Sequence, residues 1–232
     1  VQTPEILFED ALILAVNKPS GIPSHNLPGQ TDLNRAKEAT MESILLNLRG
    51  SDSIFLLHRL DTGTSGVLLF AKDSKTYNAM REKFKLKEIK KKYRAWSDSL
   101  AAFSGPLPIE INHPLAHHPK SKKRMVVIEP ERKISYRGNP IAAHSIIHSA
   151  KQTQWMGKPA TELQVEIITG VMHQIRAHLK YAKYPLIGDS IYNRVGETEV
   201  EECTSMRLGL HAETIEFELN GFHYLIEAPA PR

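Results

Sequence analysis

The chain has 232 residues, 41% of them hydrophobic and 24% charged, with a formal net charge of +4. That is enough apolar material for one large domain or two small ones, and too little charge for the total alone to mark a nucleic-acid binder. No apolar run approaches the roughly 18 residues that cross a bilayer, and a start bearing Glu5, Glu9 and Asp10 does not resemble a signal peptide, so a cytoplasmic protein with no membrane partner is expected.

Ala11 to Val16 is apolar and reads as a buried strand, stopped by the turn-rich Asn17 to Gly29. From Asp32 to Leu48 the residues Ala36, Ala39, Ile44, Leu45 and Leu48 recur at mostly helical spacing, and Gly50 is placed to end the helix. Ile54-Phe55-Leu56-Leu57 and Val67-Leu68-Leu69-Phe70 are short apolar runs bounded by turn residues, so two buried strands with a tight connection between them are expected. Ser74 is positioned to cap a second helix carrying Tyr77, Met80 and Phe84 on one face. Tyr93 to Trp96, Arg124 to Ile128, His144 to His148 and Glu162 to Thr169 read as strands. The last alternates Leu163, Val165 and Ile167 with Glu162, Gln164 and Glu166. Met172 to Ala182 has a helical pattern, and Thr214 to Leu219 reads as a half-buried strand with Ile215, Phe217 and Leu219 on one side. There are no repeats or low-complexity tracts. The turn-rich stretch from Phe103 to His118 is the one place where two lobes would divide, so residues 1–232 are expected to form a single domain of α+β type.

The chemistry concentrates in His58-Arg59-Leu60-Asp61-Thr62-Gly63-Thr64-Ser65-Gly66, which sets a carboxylate beside an arginine in a Thr/Gly/Ser-rich turn at a strand end. Reactive groups are often carried on loops that rigid strands position, although an Asp in a turn also serves simply to bind local backbone amides. Positive charge gathers in two clusters: Lys83, Lys85, Lys87, Lys90, Lys91, Lys92 and Arg94, then Lys120, Lys122, Lys123 and Arg124. Such runs are either solvated faces or phosphate contacts. His113, His117 and His118 lie close together, but Pro114 and Pro119 disfavour a helix there and no Glu or Cys stands at a ligating offset, so no metal site is expected. The single cysteine, Cys203, leaves no internal disulfide or cysteine cluster, and Glu201 and Glu202 beside it argue against a reactive thiol.

His58-Arg59-Leu60-Asp61 followed by Thr64-Ser65-Gly66 resembles the signature of the pseudouridine synthases of the RluA-like branch, which act on rRNA and tRNA. Further segments agree in order: Ile13-Leu14-Ala15-Val16-Asn17-Lys18-Pro19-Ser20-Gly21; Lys91-Lys92-Tyr93-Arg94-Ala95; Thr169-Gly170 with His173-Gln174-Ile175-Arg176-Ala177-His178-Leu179; and Pro185-Leu186-Ile187-Gly188-Asp189 with Leu210-His211-Ala212. One departure stands out: relatives usually carry a basic residue directly after the Thr-Gly pair, where this chain has Val171-Met172.

The resemblance implies a pseudouridine synthase catalytic fold, with a long, largely antiparallel mixed sheet, flanking helices and a central cleft. It also implies isomerisation of a specific uridine in rRNA or tRNA without a cofactor. Asp61 would be the catalytic carboxylate. Arg176 would keep it ionised, and on the predicted helix His173, Arg176 and Lys180 share one face opposite a core side of Ile175, Leu179 and Ala182. Tyr93 would stack on the extruded uracil, although a strand tyrosine also serves a core. Arg59 would fill the space that the flipped base vacates, and Lys90, Lys91 and Lys92 would contact RNA. Only about ten residues precede Ala11, so target choice is expected to rest on this domain, acting as a monomer, or on a partner. Two other readings remain open: an RNA-binding homologue of the same fold that has lost catalysis, and a carboxylate-dependent hydrolase, which needs a second carboxylate roughly 5 to 10 Å from the first.

Overall fold

The computed structural model describes residues 4–25, 39–50, 53–100, 106–193 and 206–231. In chain order the elements are β1 (Glu5–Glu9), β2 (Ile13–Lys18), α1 (Met41–Arg49), β3 (Phe55–Leu56), β4 (Ser65–Ala71) and α2 (Ser74–Leu86). These are followed by β5 (Lys90–Ser97), β6 (Ile109–Ile111), β7 (Leu115–His117), β8 (Met125–Val127), β9 (Arg137–Ile141), β10 (Ser145–Trp155), β11 (Lys158–Ile167), α3 (Gln174–Tyr181), β12 (Leu210–Leu219) and β13 (Phe222–Glu227). The chain divides into two units, Val1–Lys90 with His211–Pro231 and Lys91–Leu210. The division therefore falls next to Lys90 and Leu210 and not in the turn-rich stretch before His118.

In the first unit β2 pairs antiparallel with β1 and with β4, β3 pairs antiparallel with the end of β4, and β12 pairs antiparallel with β13. The start of β4 meets β12 in parallel, with His211 opposite Ser65 and Ala212 opposite Gly66. Every residue of β4 is buried, which explains why its sequence is a continuous apolar run and not an alternation. Ile13, Ala15, Val67, Leu69, Ile215, Phe217, Leu219, Tyr224 and Ile226 form one core cluster, on which α2 lays Tyr77, Met80 and Phe84 as its spacing predicts. The cap of α2 differs from expectation by one residue. Asp73, not Ser74, accepts the Thr76 N–H at 2.8 Å and the Thr76 hydroxyl at 2.7 Å, because Asp73 has the extended backbone of a cap residue, φ −148° and ψ 163°, while Ser74 is already the first residue of the helix. Helix α1 is capped by Thr40 and followed by Gly50 at φ 73°, the terminator foreseen; the earlier part of that predicted helix and Cys203 lie outside the described residues.

In the second unit β5, β11, β10 and β6 form antiparallel neighbours. The β10–β11 hairpin is much longer than the two short strands expected, because Met156 and Gly157 turn it with φ of 50° and 79°, the pair of positive values that matches the twist of a tight hairpin. Register sets the faces. Tyr93 lies opposite Val165 and Ile147 opposite Val165, while Lys92 lies opposite Glu166 and Arg94 opposite Gln164 on the reverse side. A second small sheet, β8-β7-β9, packs Leu115 and Met125 with Ala143, Ala177 and Tyr192, and Val171 and Met172 join that cluster. Strands β1, β6, β7, β9 and β13 were not foreseen. No helix among the described residues is long and apolar enough to cross a membrane.

Candidate active site

Asp61 sits half-buried in a turn of the first unit that the main chain closes, with the Thr64 N–H donating to the Asp61 carbonyl at 3.0 Å. The segment after β2 is tied to this turn at several points. The Gly21 N–H reaches the Thr62 carbonyl at 2.8 Å, and the Ser20 hydroxyl reaches the Gly63 carbonyl at 2.7 Å. Ser24 Oγ donates to the Leu60 carbonyl at 2.9 Å and accepts the Leu60 N–H at 3.1 Å. Under them lies Lys18, 0% exposed, whose ammonium donates to the carbonyls of Pro19 at 2.9 Å, Ile22 at 2.6 Å and Thr62 at 3.1 Å. A buried cation needs such a set of acceptors, and here the set joins two loops that are 44 residues apart in sequence. In the sequence Lys18, Ser20 and Gly21 are legible only as parts of a motif, and no local pattern signals their role here.

The far end of the turn is fixed by close backbone approach. Gly66 has φ +107°, and a Cβ there would lie 2.1 Å from the Ala212 carbonyl oxygen, so only glycine fits. Ser65 Oγ and His211 Nδ1 are hydrogen-bonded at 2.8 Å, and His211 Nε2 faces the Ala228 carbonyl at 3.3 Å. His58 accepts the Leu69 N–H at 3.3 Å and lays its ring against Phe84. Arg59 is exposed, and its charge helps hold the His25 imidazole below its ordinary pKa, after burial as the larger cause.

In the second unit Tyr93 is buried on β5. Alternation along that strand puts Lys91 on the same face as Tyr93, and Lys90, Lys92 and Arg94 on the other. Helix α3 lies on the Tyr93 face, because Gln174 Nε2 donates to Ser145 Oγ at 3.0 Å and His178 Nδ1 meets the same hydroxyl at 2.9 Å. The structure thus gathers Lys91, Tyr93 and the helix bearing Arg176 on one face of this unit. It separates them from Lys92, whose cross-strand neighbour is Glu166, and from Lys90, an exposed residue of the first unit paired with Glu216 at 3.2 Å. The proposed lysine trio is therefore not one surface.

Helix α3 departs from the amphipathic reading. Every residue from Gln174 to Leu179 is buried, and His173 is not in the helix at all but precedes it at φ 54°. Arg176, 6% exposed, gives a bidentate pair to Asp189 at 2.8 Å through Nε and 2.8 Å through Nη2, and it lies 5.3 Å from the centroid of Tyr192. Asp189 also accepts the N–H groups of Ile191 at 3.0 Å and Tyr192 at 3.1 Å. The helix is buried on both sides because the guanidinium has this partner. Asp189 was visible only as a family marker and Tyr192 was missed; an Asp directly after a glycine turn was the available signal. Burial lowers the His178 imidazole to about 4, and its Nε2 faces the His113 carbonyl at 3.0 Å. His113 stacks edge-on with Tyr181, His117 belongs to β7, and His118 Nδ1 accepts the N–H groups of Lys120 and Ser121.

The model of the RNA pseudouridylate synthase family matches residues 12–181, and the chain belongs to that family, in its RluA-like branch. It is 32% identical over 219 residues to a protein named ribosomal large subunit pseudouridine synthase C from Buchnera aphidicola, covering 91% of this chain and 62% of the relative. It is 28% identical to one named ribosomal large subunit pseudouridine synthase D from Xanthomonas campestris, covering 97% of this chain and 66% of the relative. The chain therefore spans just over three fifths of the length of such curated relatives. Among solved structures it resembles human RNA pseudouridylate synthase domain containing 1, with a TM-score of 0.77 at 20% identity over 99% of this chain and 84% of that one. That likeness supports the fold.

Proposed function

We propose that the protein is an RNA pseudouridine synthase that isomerises a specific uridine in rRNA or tRNA, with Asp61 as the catalytic carboxylate. The observation that carries this reading is the family match across residues 12–181 with Asp61 in a turn held by Lys18, Ser20 and Ser24. The reaction breaks the N1–C1′ bond and makes a C5–C1′ bond, while the C5 proton leaves and N1 gains one. No atom is supplied from outside the nucleotide except that proton, so a carboxylate suffices without a cofactor. Asp61 acts either as a nucleophile on the anomeric carbon or the uracil ring, or as a base on a sugar proton. Tyr93 offers an aromatic face to the extruded base, Arg176 a fixed positive charge, and Arg59, exposed near the turn, a planar group to occupy the vacated stack. Large-subunit rRNA is the favoured substrate, because the relatives are named for it.

Pseudouridine mapping in RNA from cells lacking the protein tests activity and identifies the target together. One or a few sites should revert to uridine, and the protein with Asp61→Asn should not restore them while still binding the RNA within a few-fold of the unaltered protein. An unchanged pseudouridine map would favour a binding homologue without catalysis; full restoration by Asp61→Asn would remove Asp61 from the chemistry.

A further inference from the structure

We propose that Lys91 holds a phosphodiester of the target nucleotide against the Thr169-Gly170 turn. This rests on the function proposed above and gives one lysine of the basic run a distinct task. Three observations converge on it. Lys91 stands two residues before Tyr93 on one strand, so both side chains leave β5 on the same face, the face on which α3 packs through Ser145. Its ammonium lies beside Gly170, where an added Cβ would meet Nζ at 3.9 Å, an ordinary contact distance, so the cation stands at the Thr169-Gly170 turn. The next two residues, Val171 and Met172, are turned into the apolar cluster of Leu115, Met125 and Tyr192, so the turn brings no cation of its own and Lys91 provides the charge beside it.

The ligand class follows from the chemistry of the group. A lysine ammonium is a point charge with three donors and no acceptor, suited to a phosphate oxygen more than to a planar base edge. Burial lowers it from its ordinary range to about 8, which leaves it mostly protonated at neutral pH while partly stripped of water, the state in which an anion gains most from it. Lys90 and Lys92 leave β5 on the reverse face by strand alternation, where Lys90 pairs with Glu216 and Lys92 lies opposite Glu166.

The test uses the full chain and a short RNA around the mapped uridine. In one set of RNAs the phosphate on either side of the uridine is replaced by an uncharged methylphosphonate, and single-turnover isomerisation is followed by tritium release from C5. With the unaltered protein, one replacement should slow the reaction about tenfold, the effect of one charge-assisted hydrogen bond. Lys91→Met should slow the ordinary RNA by a similar factor and should then be nearly indifferent to that replacement. Lys91→Arg should recover most of the rate, and Lys158→Met, at the exposed start of β11, should respond as the unaltered protein does. A merely structural lysine predicts a slower enzyme that still loses the full factor on methylphosphonate RNA, and that result, or a Lys91→Met variant as fast as the unaltered one, overturns the proposal. If the unaltered protein turns over no uridine, the function reading fails and binding decides Lys91 separately. On an unmodified large-subunit rRNA transcript, Lys91→Met should reduce the slope of log affinity against log salt by about 0.7 to 0.9, one phosphate's share, and an unchanged slope overturns the proposal.

Discussion

Replacing Lys18 by methionine keeps the length of the side chain and removes only its ammonium, so it isolates the clamp beneath the Asp61 turn. Three carbonyls, those of Pro19, Ile22 and Thr62, lose their donor. Hydrogen bonds to a charged group contribute about 1.5 to 3 kcal/mol each, a gross loss of about 4.5 to 9 kcal/mol. Against this stands the cost of keeping an ammonium out of water, several kcal/mol, which methionine no longer incurs. The net destabilisation should be about 3 to 5 kcal/mol, near the usual cost of breaking a buried charged contact. For a chain of this size that lowers Tm by about 6 to 20 °C. Both tryptophans, Trp96 and Trp155, belong to the second unit, so far-UV circular dichroism in urea, and not tryptophan fluorescence, reports on the affected strands. Turnover measured well below the new midpoint should also fall, because the loop carrying Asp61 loses its anchor. A Lys18→Met variant within about 1 kcal/mol of the unaltered protein at equal m-value would show that the clamp contributes little, and the account of how the turn is held would fail.

Gly66→Ala should leave little folded protein, because its Cβ would meet backbone at 2.1 Å in a φ of +107° and neither the Ala212 carbonyl nor the strand can yield cheaply; a soluble variant with an unchanged melting curve would refute this. Arg176→Met should cost about 3 to 5 kcal/mol by leaving Asp189, 1% exposed, as an uncompensated buried charge, and adding Asp189→Asn should return part of it; a double-mutant cycle by thermal melting that shows additive losses would contradict the pairing. His178 is held neutral by burial, about 4 against 6.5 for an open imidazole, so the unfolded chain takes up a proton that the folded chain refuses. Its stabilising effect is therefore complete above about pH 6.5 and is lost as pH falls toward 4, by roughly 3 kcal/mol. His178→Asn should flatten the stability profile in that window, and an equally steep profile would assign the acid sensitivity to other groups.

Much of the local structure was legible because it depends on neighbours in the chain. The Tyr77, Met80 and Phe84 face of α2 and the alternation of β11 are period signals, and the runs before and after the Asp61 turn are continuous apolar stretches bounded by turn residues. Short strands such as β6, β7 and β9 escaped notice, since two or three paired residues leave too little pattern. The Asp73 cap was missed by one position because Asp and Ser are both good caps, and only the geometry of the Thr76 donors separates them.

What the sequence by itself determined about this protein is its family, because the motifs that mark it, around Asp61, Tyr93 and Arg176, are contiguous. Tertiary structure alone decided the partners of those residues. The parallel meeting of Gly66 with Ala212, the pairing of Arg176 with Asp189 and the clamp of Lys18 on Thr62 join positions that no local periodicity relates. The same is true of the basic run, where strand alternation alone sets Lys91 apart from Lys90 and Lys92, but only the packing of α3 through Ser145 tells which side faces the helix. Such choices depend on the free energy of contacts made after chain closure, where a buried charge must find an acceptor and a backbone must find room, and that information is spread over the whole fold.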